Sequence, residues 1–176
     1  IYGMDDYYNS VTTAIMNVCL KCNDLMTLLR IFDERRVKDP LDRQMYNIAF
    51  RGLFDNGLIG EALNLFEEGW QHNVLKYLHQ SGPYAMDLHG FDVATSVIAI
   101  MHNLRTICNT IKENEKFRVP TIWIVVGKGT HSDKKQPIDG KYKLLRDSLP
   151  NMLRDTRLFD PPLKILIPEW NTGRMR

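Results

Sequence analysis

Asp87-Leu88-His89-Gly90 sets a carboxylate and an imidazole two positions apart, with a glycine behind them. The residues leading into them, Tyr84–Asp87, are short and apolar and read as a β-strand. Side chains on a strand alternate, so positions i and i+2 share a side. Strand geometry carried through His89 therefore turns Asp87 and His89 the same way. A carboxylate beside an imidazole raises the proton affinity of the ring and fixes its orientation. Such a pair suits proton transfer: taking a proton from a hydroxyl or water, or giving one to a leaving oxygen. A second stretch, Gly127-Lys128-Gly129-Thr130-His131-Ser132, offers a lysine and two glycines whose backbone amides can approach an anion closely. Lys128 or those amides would steady the charge on a phosphate. The chemistry that fits is phosphodiester binding and cleavage, with Asp87 and His89 as the proton-moving pair.

Both stretches need a scaffold that brings them together. "TIWIVVG", Thr121–Gly127, is rich in β-branched residues and bounded by Pro120 and Gly127. It reads as a buried central strand parallel to the first. Between the two strands, Val97, Ile100, Met101, Leu104, Ile107, Cys108 and Ile111 form a stripe of helical spacing, with Asp92 as the N-cap. After the loop "GKGTHSDKKQPIDG", Asp139 caps a second helix through Leu149, where Pro150 bends or restarts it. "KILIPEW", Lys164–Trp170, reads as a third strand, at an edge because Pro168 lacks a ladder donor. The order is β-α-β-α-β, a small α/β sandwich. Ligands of open α/β sheets bind outside the carboxyl ends of the strands, where both stretches stand.

The loop and second helix hold Lys128, Lys134, Lys135, Lys141, Lys143 and Arg146 against only Asp133 and Asp139. A helix beginning near Gly140 adds its N-terminal dipole. Gly127, Lys128, Gly129, Thr130, His131, Lys134, Lys135, Lys141 and Arg146 are therefore the candidate phosphate-binding residues. The charge of the chain agrees. Residues 1–80 carry 8 Lys/Arg against 11 Asp/Glu, a balance of −3; residues 81–176 carry 15 against 10, a balance of +5. A nucleic-acid backbone would meet the second half.

Other classes fit less well. With 176 residues, 44% of them apolar, and a mean hydropathy of −0.30, the chain can bury a core. It has no apolar run near the ~20 residues of a membrane span, so no membrane partner is expected. IYGMDDYYNS lacks the basic start and apolar stretch of a signal peptide, and a chain that opens on Ile reads as a fragment or a mature piece. Cys19, Cys22 and Cys108 cannot build a disulfide framework. Zinc at Cys19-x-x-Cys22 needs two more ligands at suitable spacing, and no second C-x-x-C or H-x-x-x-H exists. Neither GxxxxGK[ST] nor G-x-G-x-x-G is present. No resident cofactor is implied, and the chemistry above would need at most a divalent metal. His72, His79 and His102 read as solvated or structural, and Trp70, Trp123 and Trp170 as packing residues.

The first half repeats itself. Thr12–Glu34 laid above Tyr46–Glu68, an offset of 34 residues, matches Ile15 with Ala49, Met16 with Phe50, Cys19 with Leu53, Leu28 with Ala62, Leu29 with Leu63, Ile31 with Leu65 and Phe32 with Phe66. Asn23-Asp24 falls on Gly57-Leu58, the turn between two helices. Apolar residues recur every three or four positions, so each copy is a helix–turn–helix. This period marks a helical solenoid, in which each repeat buries its face on a neighbour. Two repeats need the next domain, or more repeats, as a cap.

"MYNIAFRGLFDNGLIGEALNLFEE" resembles a pentatricopeptide repeat, and the resemblance covers roughly residues 10–76. In that family, polar side chains near the start of the first helix and at the repeat end read single RNA bases. The matching early positions are Ala14 and Ile48, which lack hydrogen-bonding groups, so packing is the expected role of these copies. "MDLHG" followed by "VGKGTHS", with "EWNTG" near the end, resembles the Smr domain, the small MutS-related module. Val126 stands where that family usually has Thr or His. The resemblance implies repeats over residues 1–80 and an Smr domain over 81–176, as in the PPR-SMR proteins. It implies an RNA-binding protein of organelle gene expression, in chloroplast or mitochondrion, with endonuclease activity as an added capability. The alternative is a non-catalytic subunit that docks into an organellar ribosome or RNA polymerase assembly.

Overall fold

The computed structural model describes residues 4–37, 43–75, 84–88, 91–114, 116, 121–126, 145–155, 157–158, 164–166 and 174–175. The chain divides into two compact units, Ile1–Leu75 and Lys76–Arg176. The described residues form helices α1 (Met4–Lys21), α2 (Leu25–Arg36), α3 (Arg43–Asp55), α4 (Ile59–Gln71), α5 (Val93–Glu113) and α6 (Leu145–Leu153), and strands β1 (Ala85–Asp87), β2 (Trp123–Val125) and β3 (Arg174–Met175). Among them no helix is long and apolar enough to cross a membrane.

The first unit is two helical hairpins that end their first helices in the same way. α1 stops where Asn23 takes a positive φ of 55°, and α3 stops where Gly57 takes one of 74°. At the first turn the Asp24 N–H donates to the Cys19 carbonyl at 2.9 Å and the Asn23 N–H to Leu20 at 3.2 Å. At the second, 34 positions on, the Leu58 N–H donates to Leu53 at 2.9 Å and the Gly57 N–H to Phe54 at 3.0 Å. This is the paired bonding of a Schellman end, which needs a left-handed residue and takes Gly or Asn there. The second helices then start in step, at Leu25 and Ile59. α2 has a true N-cap, the Asp24 carboxylate accepting from the Thr27 N–H at 3.1 Å, whereas Leu58 makes no side-chain cap bond. α4 closes on a third Schellman end at Asn73, φ 59°, with Val74 donating to Gly69 and Asn73 to Trp70, both at 3.0 Å.

An aromatic row joins the hairpins. Phe32 meets Tyr46 edge-on with ring centroids 5.2 Å apart, Tyr46 meets Phe50 at 5.8 Å, and Phe50 meets Phe66 at 5.7 Å. Such pairs each add about 0.5–1.5 kcal/mol beyond the area they bury. Small residues make room. A Cβ on Gly69 would lie 3.0 Å from the Tyr46 ring, and one on Gly52 would lie 3.1 Å from Leu25. At the rim, Arg36 reaches Glu68 at 2.7 Å and Asp33 at 3.0 Å. The two turns also touch, the Asn56 side-chain amide donating to the Asn23 side-chain carbonyl at 3.3 Å. Burial raises the pKa of the Tyr46 hydroxyl above its ordinary value, and the nearby Glu68 carboxylate adds to the shift.

The second unit keeps the expected order of elements but corrects several of them. β1 and β2 are parallel, with Ala85 paired to Trp123, Met86 to Ile124 and Asp87 to Val125. β2 is central in the order β1-β2-β3. It is not buried on both faces, since Ile124 is buried and Trp123 and Val125 are half-buried. The third strand is not at Lys164–Leu166, the described part of the expected Lys164–Trp170 strand. Lys164, Ile165 and Leu166 lie in irregular backbone, and Leu166 is 46% exposed. The edge of β2 is instead taken by Arg174–Met175, antiparallel; prolines flanking the 164–166 stretch withhold ladder donors. α6 continues through Pro150 to Leu153, held by the burial of Leu149 and Leu153 where α6 packs on α5. α5 starts as expected, with the Asp92 carboxylate accepting from the Thr95 N–H at 2.8 Å. Its first two turns, Ala94–Ile100, are buried all round rather than along one stripe, and Cys108 is exposed. The described part of this unit is thus three short strands with two packed helices. A complete sandwich is not among the described residues.

Candidate nucleic-acid interface

Two parallel strands in register end side by side. Asp87, the last residue of β1, is paired with Val125, the last residue of β2. The ladder holds this edge: the Leu88 N–H donates to the Val125 carbonyl at 2.9 Å, and the Trp123 N–H to the Tyr84 carbonyl at 2.8 Å. Leu88 and Val126 then turn into the core, at 0% and 8% exposure. Met86 and Ile124 are buried on that same side, which leaves Ala85, Asp87, Trp123 and Val125 on the other, half-buried face. Leu88 and Val126, the last described residues before positions 89 and 127, therefore follow neighbouring strands at the same end of the sheet.

α5 begins five residues beyond Asp87 and is fixed by its own cap. Asp92, not Asp87, satisfies the first turn of the helix. The Asp87 carboxylate stays on the half-buried face beside Val125.

Of the residues expected to do chemistry, Asp87 is described with its side chain, and Arg146 is placed as the second residue of α6. His89, Gly127, Lys128, Gly129, Thr130, His131, Lys134, Lys135 and Lys141 lie outside the described residues. Among the described residues there is no cluster of three or more His, Cys, Asp or Glu able to hold a metal ion. All three cysteines are free, Cys19 buried and Cys22 exposed. His72 caps the carboxyl end of α4 and is exposed, and Trp70 and Trp123 are half-buried.

The two repeat positions matched to base reading differ. Ala14 is exposed with a methyl group only, while Ile48 is 8% exposed and part of the core. Sequence reasoning missed the buried polar groups of α5. The Thr95 and Ser96 hydroxyls and the Asn103 side-chain carbonyl are enclosed without a hydrogen-bond partner. The signal was present in the run Ala94–Ile100, where polar residues interrupt an otherwise apolar helix start.

Comparison of the chain with protein-family models, with curated proteins and with solved structures finds no match in any of the three.

Proposed function

We propose that the chain binds nucleic acid, RNA in the first instance, through phosphate contacts made by its second unit, and serves organelle gene expression in a chloroplast or mitochondrion. One observation carries the reading: Asp87 and Val125 end neighbouring parallel strands in register, at the same end of the sheet, and the sequence continues from them into His89-Gly90 and the Lys-rich stretch after Val126. The +5 balance of residues 81–176 supports it, as does the resemblance to the PPR-SMR proteins. Lys128, Lys134, Lys135, Lys141 and Arg146 would neutralise phosphates, with the Gly127 and Gly129 amides at close range. At that edge Asp87 would hold the His89 ring, and His89 would move the proton during phosphodiester cleavage, with or without a divalent metal.

A second reading has its own support. Ile48 is buried and Ala14 carries only a methyl group, so the repeats are better suited to packing than to reading bases. That favours a non-catalytic subunit of an organellar ribosome or RNA polymerase assembly. Fluorescence anisotropy with labelled single-stranded RNA separates the two, because binding by the isolated chain is expected only under the first. Cleavage is tested on the bound RNA with and without magnesium. Loss in both Asp87→Ala and His89→Ala, with binding retained, fits the proton-transfer pair. No cleavage by the parent chain leaves binding without catalysis.

A further inference from the structure

β3 adds a third member to each row of the sheet. Val125 pairs with Arg174 and Ile124 with Met175, while the same two residues of β2 pair with Asp87 and Met86 of β1. Cross-strand partners share a face, and successive positions along a strand take opposite faces. One row is therefore Met86–Ile124–Met175, all apolar, on the face where Met86 and Ile124 are buried. The other is Asp87–Val125–Arg174, on the half-buried face. A slip of one position would exchange Arg174 and Met175 between the faces and place a cation in the buried row. The types of the two residues thus agree with the register.

The second row sets an acid and a cation on either side of an apolar residue. Neighbouring strands lie about 4.8 Å apart, so the backbones at Asp87 and Arg174 stand roughly 10 Å apart across Val125. A phosphate brought to this end of the sheet meets the Asp87 carboxylate as a like charge, and like charges set together oppose binding. A cation in the same row offsets that opposition. Arginine suits the task, since its planar fork holds two phosphate oxygens at once and its charge does not titrate near neutral pH. The balance of +5 over residues 81–176 fits an anionic partner.

We propose that Arg174 is a phosphate-binding residue of the Asp87 row, holding a phosphodiester of single-stranded RNA across Val125 and offsetting the repulsion between that phosphate and the Asp87 carboxylate. The inference rests on the RNA-binding reading above and adds to it a residue from the strand at the far edge of the sheet. The contact is to the backbone, so it carries no base preference.

The test titrates the full chain and its variants with one labelled single-stranded RNA at several salt concentrations. Arg174→Gln is expected to weaken binding about tenfold and to flatten the plot of log K against log salt by about 0.7. Arg174→Lys keeps the charge and should keep the slope, with a smaller loss of affinity from the missing fork. Asp87→Asn should tighten binding, and by a larger factor in the Arg174→Gln background than in the parent, because both groups meet one phosphate. A parent that binds no RNA overturns the binding reading and this inference together. A parent that binds with a negative slope, beside an Arg174→Gln chain of equal affinity and slope, overturns this inference alone. So do equal factors for Asp87→Asn in the two backgrounds. If Arg174→Gln and Asp87→Asn each lower the melting temperature and leave RNA affinity unchanged, the two residues form an ion pair of the fold instead. If Arg174→Gln does not fold, Arg174→Lys decides, and an affinity equal to the parent's overturns the proposal.

Discussion

The first unit holds its helices by motifs a few residues long, whereas the second holds its candidate site by pairing residues far apart in the chain. In the hairpins, the left-handed residues Asn23 and Gly57 end the first helices, and the bonds at the two turns repeat at an offset of 34. In the second unit, Asp87 meets Val125 across the whole of α5. Local motifs fix geometry whatever else the chain does. A strand edge built from distant pairs fixes only where the departing segments begin. The two halves also differ in charge, −3 over residues 1–80 against +5 over residues 81–176.

Loss of the aromatic row should have the largest effect. Phe50→Ala removes a ring packed against both Tyr46 and Phe66 and should lower stability by about 3–5 kcal/mol in urea unfolding. Hydrogen exchange should show the loss in α3 and α4 while the Leu88 and Trp123 amides stay protected. Loss of protection at those two amides as well would end the contrast between the units. A smaller effect should separate the two turns. Gly57→Ala forces a Cβ into left-handed backbone and should cost about 1–2 kcal/mol, while Asn23→Gly should change stability by only a few tenths. Equal effects would mean the turns are not equivalent devices.

Two titrations sharpen the comparison further. The Tyr46 hydroxyl has its pKa raised by burial in the repeat core, then by Glu68. Its contribution is complete below the ordinary value of 10.0 and is lost as pH rises through the raised value. Tyr46→Phe, which keeps the ring, should therefore flatten the alkaline limb of stability above pH 10. In the second unit, the hydrogen bonds from Arg157 hold the Asp155 carboxyl at about 2, below its ordinary 3.8. That contribution is present above 3.8 and is lost as pH falls toward 2. Both groups of this pair meet solvent, so Asp155→Asn should give the smallest effect, a slightly shallower acid limb seen by thermal melting.

The sequence carried the helical hairpins well, because a turn residue and a 3.6-residue apolar period act within one hairpin. Asn23, Gly57 and the starts at Leu25 and Ile59 all follow from such local signals. It also carried the parallel pairing of β1 and β2, since an intervening helix leaves a parallel crossover as the natural connection. The third strand was misread because Lys164–Leu166 has strand-like composition, while the edge of β2 is filled by Arg174–Met175 through a long-range choice. The continuation of α6 past Pro150 was hidden for a similar reason. Burial of Leu149 and Leu153 outweighs a local helix breaker. For the candidate site, the place of Asp87 at a strand end was legible from alternation and Gly90. Its register with Val125 was not, because register depends on the distant strand.

The salt dependence of RNA binding tests the central claim most directly. The chain and its Lys134→Ala/Lys135→Ala variant are titrated with one labelled single-stranded RNA over a range of salt concentrations, and log K is plotted against log salt. Each phosphate neutralised on a single strand contributes a slope of roughly −0.7. The account predicts a clearly negative slope for the parent, and for the variant weaker binding with a slope flatter by about 1–1.5 units. No binding by the parent, or a variant with the same affinity and slope, would contradict it.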